Sequence, residues 1–124
     1  MKNLKFRAWD KKRKRSVEVI AIHFYYEEIV IKDIVIFFED CILMQYTGLK
    51  DKNGVEIYEG DILLGHCVYP ECNIFESKLI GEVYYSSRGT WDCYSYILGG
   101  FNEQVEVIGN IHEHNHLLEQ NKNK

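Results

Sequence analysis

Hydrophobic and polar positions alternate with a period of two over short stretches of this chain, and charged or glycine-containing turns separate the stretches. Leu4, Phe6 and Ala8 alternate with Lys5, Arg7 and Trp9, the pattern of a half-buried strand. Asp10 to Arg15 is wholly charged and predicts a turn. From Ser16 to Ile22, Val17, Val19 and Ala21 alternate with Glu18, Ile20 and Ile22, so the two runs predict a hairpin. Ile29 to Ile31 and Ile34 to Phe38 are rich in β-branched and aromatic residues and read as strands. A helix within Phe24 to Phe38 is the alternative. Glu39 and Asp40 interrupt the pattern before a further run, Cys41 to Tyr46.

The middle of the chain is the most legible. Asn53-Gly54 is a strong hairpin-turn signal, because both residues accept positive φ at little cost. Gly60-Asp61 marks a second stop, where a strand redirects before Ile62 to Leu64. Gly65 to Ser77 contains Pro70 and reads as loop. Lys78 to Tyr85, Thr90 to Leu98 and Gln104 to Ile108 are three further strand candidates, separated by Ser86-Ser87-Arg88-Gly89 and Gly99-Gly100. The spacing predicts a mainly β fold, a small antiparallel β-barrel of SH3-like size with an N-terminal β-hairpin layer. Residues 1–45 form the hairpin layer in this reading, 46–118 the barrel, and 119–124 a frayed polar tail.

Composition narrows the class. Of 124 residues, 46% are hydrophobic and 27% charged, with a single proline, which excludes a disordered or proline-rich chain. No run is long enough to span a membrane, and Met1 to Arg7 lacks the apolar core of a signal peptide. A cytoplasmic address is expected. Cys41, Cys67, Cys72 and Cys93 then read as thiols rather than as a disulfide framework. The net charge of −4 conceals a polarity: the first fifteen residues hold eight basic side chains against one acidic, and the remainder seven against eighteen. Such a distribution suits an anion-binding corner or head-to-tail contact between subunits, and disfavours a broad grip on DNA.

Three blocks carry a family resemblance. Leu4-Lys5-Phe6-Arg7-Ala8-Trp9-Asp10 opens the chain, and Met44-Gln45-Tyr46-Thr47-Gly48-Leu49-Lys50-Asp51-Lys52-Asn53-Gly54-Val55-Glu56-Ile57-Tyr58-Glu59-Gly60-Asp61-Ile62 occupies its middle. Val105-Glu106-Val107-Ile108-Gly109-Asn110-Ile111 lies near its end. In that order the blocks resemble the YopX family. The resemblance implies a mainly β protein of phages and prophages, made in the infected bacterium, outside the virion, oligomeric and without an established activity. It singles out Tyr46, Thr47, Gly48, Asn53, Gly54, Tyr58, Gly60, Asp61, Gly109 and Asn110 as motif residues. The chain departs from the family where His112-Glu113-His114-Asn115 replaces the usual Tyr-Glu-Asn-Pro.

Candidate chemistry is sparse. His112, His114 and His116 would share one side of an extended segment and could hold Zn²⁺ or Ni²⁺, alone or with Cys67 and Cys72. Loop thiols and a solvated tail are the plainer reading, and no metal or cofactor is expected. The cysteines and five histidines show no local nucleophile signature. Glu56, Glu59 and Asp61 suit acid–base work only if they share a cleft; acids beside a hairpin more often accept backbone N–H groups. The glycines form no phosphate loop. Lys11, Lys12, Arg13, Lys14 and Arg15 form the candidate anion site, with Trp9, Tyr25 and Tyr26 as stacking surfaces, against a solvated turn that guards an edge strand. The expected function is a noncatalytic accessory protein that binds a host or phage protein and itself. A nucleic-acid-binding module and a metal-dependent enzyme are the alternatives.

Overall fold

The computed structural model describes residues 4–66, 78–93 and 96–122, and divides the chain into two units, Met1–Tyr46 and Thr47–Lys124. The mainly β class holds, with antiparallel pairing in every sheet and one sheet curled into a half-barrel.

In the first unit, β1 (Phe6–Asp10) and β2 (Arg15–Glu18) form the expected hairpin, with Ala8 opposite Val17 and Asp10 opposite Arg15. The alternating run from Ser16 to Ile22 is not one strand. Val19 N–H still donates to Phe6 O (3.2 Å), but Ile20 N–H donates to Val30 O (2.8 Å), so the chain leaves one sheet for another between these residues. There β3 (Ala21–His23), β4 (Glu28–Val30) and β5 (Val35–Phe37) form a meander in place of a helix. Ile22, Ile29 and Ile36 stand in one cross-strand row. That row faces inward: Ile29 and Ile36 are buried with Ala8, Ile31 and Cys41, and Val17, Phe38 and Leu43 pack around them. Burying one such isoleucine contributes about 2–3 kcal/mol, enough for the β-branched meander to prevail over helix. A single turn of 3-10 helix, Phe38–Asp40, leads into β6 (Cys41–Lys50), whose first half pairs with β1.

In the second unit β6 runs on to Lys50. Gly48 adopts φ +85°, a backbone conformation that penalises a Cβ, and Thr47 spans the irregularity: its hydroxyl donates to Ile57 O (2.8 Å) and accepts from Leu49 N–H (3.2 Å). The chain then turns at Asp51–Val55. Gly54 N–H donates to Asp51 O (3.0 Å) and Asp51 N–H to Val55 O (2.8 Å), with Gly54 at φ +81°. Asn53 keeps a negative φ, so the connection is a type I turn closed by a glycine bulge, and only Gly54 needs the left-handed region.

The strands β7 (Glu56–Tyr58), β8 (Asp61–His66) and β9 (Lys78–Glu82) follow, then β10 (Tyr84–Tyr85), β11 (Trp91–Cys93), β12 (Tyr96–Ile97) and β13 (Glu106–Asn110). β7 lies beside β6, and the others form sheets ordered β13-β8-β9 and β10-β11-β12. The predicted strand from Lys78 to Tyr85 breaks at Val83, whose N–H and C=O are taken by Asp61 O and Gly60 N–H (both 2.9 Å). Ile57, Leu63, Val83, Cys93, Leu98, Phe101 and Val105 form the core. Most of the predicted loop Gly65 to Ser77, with Pro70, Cys67 and Cys72, lies outside the described residues. Residues expected as a frayed tail from Glu119 belong through Lys122 to α1 (Asn115–Lys122). Among the described residues no helix is long and apolar enough to cross a membrane.

Candidate interaction surface

The polar motif residues serve the backbone. Asp51 is buried; its Oδ1 accepts Asn53 N–H (2.8 Å) and Val55 N–H (2.9 Å), and its Oδ2 accepts Val107 N–H (2.9 Å), across 56 residues of chain. Asp61, also buried, accepts Tyr58 N–H (2.8 Å). Asn110 Oδ1 accepts the N–H groups of His112 and Glu113 (both 3.0 Å). Tyr58 is buried and its hydroxyl donates to Glu56 (3.4 Å), while Tyr46 is buried beneath the ammonium of Lys5, 5.7 Å from its ring. The acids Glu56 and Asp61 are thus engaged in the hairpin itself. The central and terminal blocks of sequence are one constellation in space, because β8 and β13 pair Asp61 with Asn110 and Ile62 with Gly109.

The three terminal histidines do not lie on an extended segment. The chain turns after Asn110 and enters α1 at Asn115, so the alternation that would align their rings is absent. His114 Nδ1 accepts Asn110 N–H (3.2 Å), which places its neutral-form proton on Nε2, and its ring packs over Gly109. Among the described residues no three His, Cys, Asp or Glu side chains gather as a metal-holding group. Burial raises the Cys41 thiol above its ordinary pKa, although Lys11 opposes the shift, so little of it is the nucleophilic thiolate.

The basic turn is less open than its sequence suggests. Asp10 is wholly buried at its base. Asp10 Oδ1 accepts Lys12 N–H and Arg13 N–H (both 3.2 Å), and Oδ2 accepts Arg13 Nη1 (3.3 Å) and Arg15 Nε (3.4 Å). Lys12 Nζ reaches Asp40 (3.3 Å), Arg15 reaches Asp33 (3.9 Å), and Lys11 Nζ donates to Glu39 O (3.2 Å). Lys14, at φ +52°, makes no ion pair among the described residues. In the reading from sequence Asp10 belonged to the turn's charge; its role as the buried acceptor was missed. The signal was an aspartate two and three residues before the N–H groups of a turn.

Burial acts to raise the Asp10 carboxyl, but the Arg13 N–H and the guanidinium groups of Arg13 and Arg15 outweigh it and hold the pKa below 3.8. Asp92 is likewise lowered, first by the Thr90 hydroxyl (2.7 Å), against burial, then by Arg88 (2.5 Å). Both carboxyls therefore bind protons less readily folded than unfolded. Their stabilisation is present above the unfolded value and is lost as pH falls through the lower folded values. The urea midpoint should hold from about pH 7 to about pH 5 and fall below about pH 4. The double variant Asp10→Asn/Asp92→Asn should show a shallower fall; an equally steep one would remove these carboxyls from the account.

The strongest exposed feature is the tip joining β3 and β4. Phe24, Tyr25 and Tyr26 are 75%, 90% and 67% exposed, three consecutive aromatic side chains in solvent. They are nevertheless ordered by contacts: Phe24 meets Phe38 edge-on (6.2 Å), Tyr25 meets Tyr26 (5.1 Å), and Tyr26 meets His23 (6.4 Å). His23 Nδ1 and Glu28 Oε1, 3.0 Å apart, clamp the base, and Glu27 takes φ +51° to close the turn. Such a tip offers large rigid area at little entropic cost on binding.

The family model described as "YopX protein" matches residues 5–119. The crystal structure of protein EF1440 from Enterococcus faecalis is similar, with a TM-score of 0.69 and 28% identity, covering 95% of this chain and 99% of that one. No curated protein matches the chain.

Proposed function

The chain belongs to the YopX family, and on that premise we propose that it is a phage- or prophage-encoded accessory protein that works in the bacterial cytoplasm by binding protein surfaces, including copies of itself, and not by catalysis. The exposed aromatic tip Phe24-Tyr25-Tyr26 carries this reading. Aromatic side chains in solvent cost solubility, and three consecutive ones at a strand-connecting tip suit the centre of a protein interface. The motif carboxylates Asp51 and Asp61 support it from the other side, since both oxygens of Asp51 and Oδ2 of Asp61 accept backbone N–H groups.

The test compares the wild type with Tyr25→Ser/Tyr26→Ser, both sites being exposed enough to leave folding intact. Each protein is cross-linked in lysogenic bacteria and its adducts are quantified. The variant should lose about nine tenths of its protein adducts, as expected when two central aromatic contacts are removed. An unchanged adduct pattern would sink the reading. A nucleic-acid module using Lys11 to Arg15 is the second reading, favoured by Lys14, which is left without an ion pair among the described residues. It requires binding that weakens steeply with salt.

A further inference from the structure

The meander of the first unit leaves one outer strand open. In the order β3-β4-β5, β5 pairs with β4 alone. The bonds at the two ends of that pairing fix its phase: Ile31 N–H donates to Ile34 O (3.0 Å) and Phe38 N–H to Glu27 O (2.8 Å). Hydrogen-bonded and non-hydrogen-bonded pairs alternate along an antiparallel ladder. Ile29 and Ile36 therefore bond to one another, while Val35 and Phe37 turn their N–H and C=O groups away from β4, to the free side. The side chains of the same two residues are 48% and 55% exposed, with Ile36 buried between them.

An edge of this kind is a template for another chain, and folded proteins ordinarily blunt it with charge, a bulge or proline. β2, at the edge of its own sheet, is blunted: Arg15 opens it, and Ser16 and Glu18 are its exposed positions. β5 carries none of these devices. It reads Val-Ile-Phe and keeps an unbroken register with β4 over all three pairs. Charge stands only at its ends. Lys32 and Asp33 precede it, Asp33 lying 3.9 Å from Arg15, whereas exposed Glu27 and Glu39 stand at the end where Phe37 lies.

We propose that β5 is a docking edge for an extended segment of another protein, which adds to the meander as a fourth, antiparallel strand. Antiparallel addition continues the pairing of β3, β4 and β5, and it turns the amino end of the segment toward Glu27 and Glu39. The segment that fits has β-branched or other apolar side chains at alternate positions, opposite Val35 and Phe37, and a lysine or arginine at its amino end. Main-chain bonds to Val35 and Phe37 hold it; the alternate side chains and the basic residue select it. This edge is a second surface, distinct from the aromatic tip.

Phe37 suits the test because its backbone already has φ −72° and ψ 150°, angles that proline adopts. Phe37→Pro removes the edge N–H and leaves the β4 ladder whole, and Phe37→Ala removes the ring but keeps the N–H. The probe is a blocked, fluorescein-labelled peptide, Lys-Val-Thr-Val-Thr-Val-Thr, titrated with the full chain by fluorescence anisotropy. The wild type should bind it saturably. Phe37→Pro should bind about tenfold more weakly than the wild type, and clearly more weakly than Phe37→Ala. Circular dichroism melting of both variants, unchanged from wild type, separates loss of contact from loss of fold. The decisive arm keeps the protein intact and changes the peptide. Methylating its valine nitrogens should weaken binding by about tenfold or more, whereas methylating its threonine nitrogens should leave it, since only one set of amides faces β5. Glutamate in place of the peptide's lysine should weaken binding about threefold. No saturable binding, equal affinity of Phe37→Pro and Phe37→Ala, or equal loss from both methylations would each overturn the proposal. Binding that weakens as protein concentration rises would make a second copy the occupant, and would overturn it too. If the peptide fails to bind while Tyr25→Ser/Tyr26→Ser still loses its adducts, the edge alone falls and the binding-protein reading of the tip stands.

Discussion

Asp51→Ala is expected to destabilise the protein by about 3 kcal/mol or more, a large share of the 5–15 kcal/mol that separates typical folded and unfolded states. The carboxylate is the common acceptor for Asn53 N–H, Val55 N–H and Val107 N–H, and alanine leaves all three without it. The loss is not confined to the turn. Lys52 N–H donates to Val105 O (3.0 Å) and Asn102 Nδ2 to Lys50 O (2.7 Å), so the loop and the approach to β13 are tied at several points, with Asp51 in the middle. Asp51→Asn should cost less, about 1–2 kcal/mol, because one oxygen still accepts while the amide nitrogen faces an N–H donor. Urea unfolding of both variants checks the ranking. A cost below about 1 kcal/mol for Asp51→Ala would mean that water replaces the carboxylate without loss.

Gly109→Ala is the second large effect, at about 2–3 kcal/mol. A Cβ built on Gly109 falls 2.5 Å from His114 Nδ1, 2.6 Å from its Cγ and 2.9 Å from its Cβ. These are atoms near the base of the side chain, so a flick of its far end gives no relief. The ring must leave, and with it goes the acceptor for Asn110 N–H. The register between β13 and β8 already shifts between Val107 and Gly109, which limits how far the strand can yield. His114→Ala removes the two ring contacts but keeps the third, so the double variant should cost less than the sum of the singles, by about 1 kcal/mol. Strict additivity would place the strain elsewhere.

Much of the fold is legible in the sequence wherever one face of a strand is apolar and a turn residue is conformationally special. Ala8 and Val17 alternate with polar neighbours, and they face one another in the β1–β2 hairpin. Gly54 was found because few residues tolerate its φ. What was illegible has a common cause: backbone groups recruited by distant partners. The break at Val83 depends on Gly60 and Asp61, and the redirection at Val19-Ile20 depends on β4. Local alternation contains neither. Asp10 reads as part of the turn's charge and Asp51 as one residue of the central block, because periodicity alone does not show which carboxylate is buried. The pattern Asp51-Lys52-Asn53-Gly54, an aspartate opening a type I turn with glycine at its fourth position, was the available clue. Helix α1 escaped because Leu117 and Leu118 are its only large apolar residues, too few for a recognisable period. It begins at Asn115, the position of the family's usual proline, a residue suited to the first helical position. Of the surface, sequence singled out Tyr25 and Tyr26 as stacking surfaces, while the contact of Phe24 with Phe38, fourteen residues on, appears only in three dimensions.

The pairing of β8 with β13 also sets a timetable for synthesis. The hairpins of the first unit close between neighbours in sequence, and such closures take microseconds once the strands have left the ribosome. β8 must wait for a partner that begins about forty residues downstream, which at 5–20 residues per second is roughly 2–8 s. During that interval Ile62 and Leu63, both wholly buried in the finished protein, lie on a strand with one side unpaired. Nascent chains arrested between β9 and β13 therefore present the hazard of aggregation through β8.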